Sequence, residues 1–166
     1  MKARMGRKIL VLVLLALIVS AIPAAAAVKE PVDFKQDHIK MQWWLVDYGT
    51  QSGAPFAVVR KYYTNETIKR ETIDLLMSKF GLSPESAGGL YFTEYMYEYA
   101  PDGKRFAVVY QKHYDMLGEE IHGTVFDGSS ENTKKTFASV DPKHATGKAA
   151  NYVFPKAAPA KNTKKK

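Results

Sequence analysis

Apolar and polar residues alternate with a period of two over most of this chain and with a helical period over one segment. Met41–Tyr48 (Met-Gln-Trp-Trp-Leu-Val-Asp-Tyr) is rich in aromatic and branched residues and predicts a strand. Gly49–Pro55, with two Gly, Ser52 and Pro55, predicts a loose loop. Phe56–Tyr63 predicts a second strand, with Phe56, Val58, Arg60 and Tyr62 on one face and Ala57, Val59, Lys61 and Tyr63 on the other. Together the two form an N-terminal hairpin. A helix follows over Glu66–Phe80. Thr64 or Asn65 caps it, Glu66 sits where the dipole favours an anion, and Gly81 supplies a left-handed C′ residue against which Leu82 packs back. Ile68, Ile73, Leu75, Leu76, Met77 and Phe80 fall on one arc of this helix and should face a core. Ser83-Pro84-Glu85 then starts a short turn, with Pro84 at a first helical position.

Leu90–Tyr99 alternates again, with Tyr91, Thr93, Tyr95, Tyr97 and Tyr99 on one side and Leu90, Phe92, Glu94, Met96 and Glu98 on the other. Pro101-Asp102-Gly103 and Asp115-Met116-Leu117-Gly118 are turn sequences, so Arg105–Tyr114 and Glu119–Phe126 complete a three-stranded antiparallel meander. A bulged turn after Pro101 would set Tyr97 opposite Ala107 and Tyr95 opposite Val109. Asp127–Lys135 reads as a polar loop and Phe137–Phe154 as a weakly patterned return segment. The predicted fold class is α+β: an antiparallel sheet, made of the N-terminal hairpin and the C-terminal meander, with one main helix packed on it.

Composition changes the picture at both ends. The 166 residues carry a net charge of +7, but residues 28–133 hold 11 basic and 16 acidic side chains. The positive excess belongs to residues 1–27, with four basic and no acidic residues, and to residues 134–166, with nine Lys against Asp141. Met1–Lys8 is basic, Ile9–Ile22 is apolar apart from Ser20, Pro23 breaks any helix, and Ala24–Ala27 offers a small-residue cleavage site. This is the order of a secretory signal peptide cleaved near Ala27; a retained anchor over Ile9–Val28 is the alternative. Residues 1–27 are therefore read as leader, 28–40 as a flexible lead-in, 41–154 as a single α+β domain, and 155–166 as a disordered Lys/Ala/Pro tail. The expected location is exported: periplasmic, secreted or at the cell surface.

Chemistry is sparse. The absence of Cys excludes disulfides, thiol catalysis, Cys-ligated metals and an acyl anchor. There is no G-x-S-x-G elbow and no phosphate-cradling glycine loop, so no catalytic residue, cofactor site or metal site is assigned. The expected register sets His113 opposite Ile121 and His122 opposite Lys112, on separate faces; a one-residue slip would instead pair the two His. Tyr95, Tyr97 and Tyr99 are the one candidate partner-binding face, because Tyr gives large amphipathic contact area at low entropic cost. The alternative buries that stripe under the N-terminal hairpin with Trp43 and Trp44. The tail lacks the interleaved aromatics of a nucleic-acid binder. The partners considered are a protein or an anionic envelope polymer, not nucleic acid.

Several segments resemble exported bacterial proteins of the surface-adhesin protein E type. They are Val58-Val59-Arg60-Lys61-Tyr62-Tyr63, Tyr95-Met96-Tyr97-Glu98-Tyr99, Tyr114-Asp115-x-x-Gly118-x-x-Ile121 and Phe137-x-x-Val140-x-Pro142, and the resemblance spans roughly Gln42–Phe154. It implies a small exported α+β domain and, in the founding adhesin, a binder of host matrix and serum proteins. Many such sequences carry one Cys after the strand equivalent to Tyr95–Tyr99 and another near the C-terminus. Here those neighbourhoods read Ala100-Pro101 and Tyr152-Val153-Phe154, and the lipid-bearing Cys is missing too. The functional expectation is an exported, non-enzymatic binding or interaction domain of adhesin-like character. An exported enzyme with an unrecognised active site and a purely structural envelope protein are the rivals.

Overall fold

The computed structural model describes residues 29–155. The predicted leader, and the tail beyond Pro155, lie outside them. Seven strands form one antiparallel sheet: β1 (Val32–Gln36), β2 (Gln42–Gln51), β3 (Ala54–Tyr62), β4 (Phe92–Tyr99), β5 (Arg105–Tyr114), β6 (Glu120–Val125) and β7 (Ala138–Ser139). The first six lie side by side in chain order, and β7 pairs with the start of β5. Three helices accompany them: α1 (Glu66–Phe80), α2 (Pro84–Gly88) and α3 (Ala145–Val153). The α+β class therefore holds, with the sheet dominant and curled into a half-barrel. Among the described residues, no helix is long and apolar enough to cross a membrane.

The curl has a local cause. Register shifts interrupt four strand pairs, between Asp33 and Lys35, Leu45 and Asp47, Met96 and Tyr97, and His113 and Tyr114. Each such bulge bends its strand and increases the twist. The concave face carries Trp43, Leu45, Ala57, Val59, Tyr97 and Tyr99, all buried.

The local signals of α1 hold. Asn65 accepts hydrogen bonds from the Thr67 and Ile68 amides, and Gly81 closes the helix at φ 69° with its N–H on the Leu76 and Met77 carbonyls. Its packing differs from the predicted arc: only Leu76 is fully buried, while Leu75 and Phe80 are half exposed. The helix pressed closest to the sheet is α3, over β2 and β3, in the segment expected to be a weakly patterned return. Its buried face is made of Ala145, Thr146, Gly147, Ala149 and Ala150. Such small side chains bring a helix backbone near a sheet but give no hydrophobic period to read.

Three further expectations are corrected. The lead-in contains β1, which pairs with β2 through a bulge and a positive φ (65°) at Lys35. Gly49–Pro55 is not a loose loop, because the strands run to a two-residue turn at Ser52-Gly53, both at positive φ. Pro55 is tolerated there because its missing N–H points away from β2, beyond the last recorded pair of β3 with β4, Phe56 with Glu98. The N-terminal hairpin does not cover the meander; it joins it edge to edge through β3 and β4.

A Cβ on Gly147 would lie 2.3 Å from the Asp141 carbonyl oxygen and 2.4 Å from Pro142 Cα, both backbone atoms. Gly147→Ala is therefore expected to cost about 1–3 kcal/mol through overpacking. Gly88→Ala, with nothing within 4 Å of the added atom, should shift stability by no more than about 0.5 kcal/mol. Urea unfolding of both variants checks this; equal midpoints would show that α3 does not sit as described.

Candidate functional site

The predicted Tyr face is core. Tyr95, Tyr97 and Tyr99 share one side of β4, but Tyr97 and Tyr99 are 4% and 1% exposed. The Tyr99 hydroxyl donates to the Thr146 carbonyl at 2.7 Å, and Tyr97 packs edge-on to Phe106 at 5.2 Å. Tyr95 is half-buried against Trp43 at 6.0 Å. α3 covers Tyr99, while the hairpin lies beside β4 in the same sheet. The cross-strand partners also differ from those expected: Tyr97 faces Val108 and Tyr95 faces Gln111, because the extra residue in β5 is Val109. A buried stripe cannot serve as a partner-binding face.

A second bulge, in β6, builds a different constellation. Asp115 and Glu119 close the β5–β6 turn as expected, with the Asp115 N–H on the Glu119 carbonyl and Gly118 at φ 82°. Tyr114 then faces Glu120, Ile121 bulges, and His113 faces His122. The slipped register, not the separate-face one, is what forms. One straight row now crosses the concave face, from Trp43 through Lys61, Thr93 and His113 to His122. The next row runs from Leu45 through Val59, Tyr95 and Gln111 to Thr124. Polar residues thus occupy the β4–β6 end of a face that is apolar at its β2 end.

His113 is buried, at 4% exposure. Its Nε2 accepts from Gln111 Nε2 at 3.1 Å, so the proton of the neutral ring lies on Nδ1, which donates to Thr93 Oγ1 at 2.9 Å. Thr93 Oγ1 also bonds the Tyr63 hydroxyl at 2.7 Å. Burial first, then the nearby His122 and Lys61, lower the His113 pKa to about 4. The His122 ring lies 4.1 Å from that of Phe80, and its buried Nε2 has no hydrogen-bond partner among the described residues. Lys61 is held over the rings of Tyr63 (4.8 Å) and Tyr95 (5.7 Å), and no ion pair among the described residues includes it.

Between the C-terminal half of α1 and strands β5–β6, this wall borders a cavity of about 560 Å³. Lys79, Gln111, His113, Thr124, Asn132 and Thr133 supply its polar lining. Leu75, Phe80 and Phe126 supply the apolar part, which accounts for the two apolar residues of α1 that the core leaves half exposed. The convex face also has a groove, of about 500 Å³, beside Trp44, Tyr62 and Tyr91. There, however, the polar groups satisfy one another. Arg60 pairs with Glu94 at 2.8 Å, Tyr110 donates to Glu94 at 2.9 Å, and Gln42 donates to Asp33. The remaining two His lie elsewhere, and His144 packs edge-on to Trp43 at 5.0 Å. Among the described residues, no three His, Asp or Glu side chains converge as metal ligands. No protein-family profile, curated protein or solved structure matches the chain.

The His113 environment makes stability depend on pH. Its folded-state pKa lies below the ordinary 6.5, so the contribution is complete above about pH 6.5 and is lost as pH falls towards 4. Between pH 7.5 and 4.5 the wild type should lose about 2–3 kcal/mol more than His113→Gln. Urea titrations at the two pH values measure this. Parallel losses would place His113 in solvent.

Proposed function

We propose that the chain is an exported, non-enzymatic binding domain and that the half-barrel cavity is its ligand site. One contrast carries the reading. In the convex groove the charged and polar groups are consumed by mutual contacts, whereas the cavity is lined by Lys79, which no ion pair among the described residues includes, and by Phe80, whose ring packs on the His122 side chain. A cation left without a counter-charge on the lining of a cavity favours a ligand that supplies one. The cavity also falls in the range usual for small-molecule sites.

A non-catalytic role is favoured by the state of its histidine. A general base works best with a pKa near the ambient pH and a free nitrogen aimed at substrate. His113 has a pKa of about 4, and both of its nitrogens are engaged by Thr93 and Gln111. Among the described residues, no carboxylate or nucleophile–base pair lines the cavity. Export rests on the leader sequence, and an exported binding domain also agrees with the protein E resemblance.

Leu75 offers a test that spares the fold, because it borders the cavity yet is 50% exposed. Fragments with an apolar body and one polar group, screened by ligand-observed NMR, should bind the wild type and shift its His113 and His122 ring signals. Leu75→Trp should weaken every such hit at least tenfold with an unchanged unfolding midpoint. Hits indifferent to Leu75→Trp, or a screen without hits, would reject the cavity as a ligand site.

A further inference from the structure

We infer that the half-barrel cavity selects a small organic anion: an apolar body of aromatic size carrying a single carboxylate. The inference rests on reading the cavity as a ligand site and adds the chemistry of the occupant. Residues 28–133 hold 16 acidic side chains against 11 basic ones, yet none of the acids lines this cavity. Its donors are one ammonium, two amides and two hydroxyls, from Lys79, Gln111, Asn132, Thr124 and Thr133, beside the His113 ring, whose two nitrogens are already engaged. A donor-rich site without an acid, inside an otherwise acidic stretch, is complementary to an anion and focuses positive potential.

The lysines reinforce this sign. Lys79 lies in the last turn of α1 with its Nζ over the Phe80 ring at 5.5 Å, and no ion pair among the described residues includes it. Lys61 lies in the same cross-strand row as His113, likewise without a carboxylate; it does not line the cavity and adds only to the sign of the local potential. A ligand carboxylate in the cavity would supply the counter-charge that the fold withholds from Lys79. Opposite this donor set, Phe80, Phe126 and Leu75 offer an apolar wall. An aromatic or short aliphatic body packs on that wall while its charge faces the donors. A cation is disfavoured by Lys79, and a polyanion by the single lining ammonium among the described residues.

Naphthalene-2-carboxylate and naphthalene-2-carboxamide have nearly the same shape and differ in charge, so calorimetric titration of the full mature chain with both isolates the sign. The carboxylate should bind at least tenfold tighter than the amide at pH 7 and low salt. Lys79→Gln should weaken the carboxylate about three- to tenfold and leave the amide unchanged. Lys79→Arg should restore most of the difference. An amide that binds as tightly as the carboxylate, or a carboxylate indifferent to Lys79→Gln, would overturn anion selection while leaving the cavity a ligand site. Binding of neither probe, with neutral fragments still displaced by Leu75→Trp, would also overturn it. Loss of all fragment binding removes the underlying reading and the inference with it.

Discussion

A single extra residue in β6 decides what the concave face of this protein can do. Because side chains alternate along a strand, a shift of one residue exchanges every inward position for an outward one. The Ile121 bulge makes that shift between Tyr114–Glu120 and His113–His122. On the near side of it, Tyr114 and Glu120 belong to the convex face, where Lys112 bonds Glu120 at 2.7 Å. Beyond it, His122 and Thr124 turn inward to meet His113 and Gln111. Without the bulge, His122 would stand opposite Lys112 among the convex charges, and the row from Lys61 to His122 would not exist.

The helices divide the concave face between structure and site. At the β2–β3 end, α3 lies close because its buried face is Ala, Gly and Thr, and Tyr99 fixes it through the Thr146 carbonyl. Dense packing of this kind seals the Tyr97–Tyr99 part of the face and leaves it no recognition role. At the β5–β6 end, α1 contributes one fully buried residue, Leu76, and holds Leu75, Lys79 and Phe80 at the rim of a cavity. A helix anchored by one edge cannot fill the space beneath its other edge. The cavity thus follows from how the two helices share one curved sheet.

Local signals were legible in the sequence, and registers were not. The Asn65 cap, the left-handed Gly81 and the Asp115–Gly118 turn are fixed by side-chain and φ requirements within a few residues, and each forms as read. β1 was missed because its bulge and the positive φ of Lys35 erase any alternation. α3 was missed because an Ala-Thr-Gly-Lys-Ala-Ala run has no apolar period and its N-cap, His144, makes no side-chain capping bond. The expected register sets His113 and His122 on separate faces, and the Ile121 bulge pairs them instead. A bulge leaves no mark in composition; only the match of Gln111 to Thr124 and Lys112 to Gly123 across the strands would have pointed to it.

The pairing of His113 with His122 is the claim on which the site depends, and a chain without Cys allows a direct measurement. Cysteines placed at directly opposed positions of an antiparallel pair meet the Cα separation that a disulfide requires. The doubly substituted His113→Cys/His122→Cys chain, oxidised in air and assayed for free thiol, should form an intramolecular bridge nearly completely. Lys112→Cys/His122→Cys, whose side chains leave opposite faces, should keep both thiols. The reverse pattern, a bridge from position 112 and free thiols at 113 and 122, would contradict the register and dissolve the site.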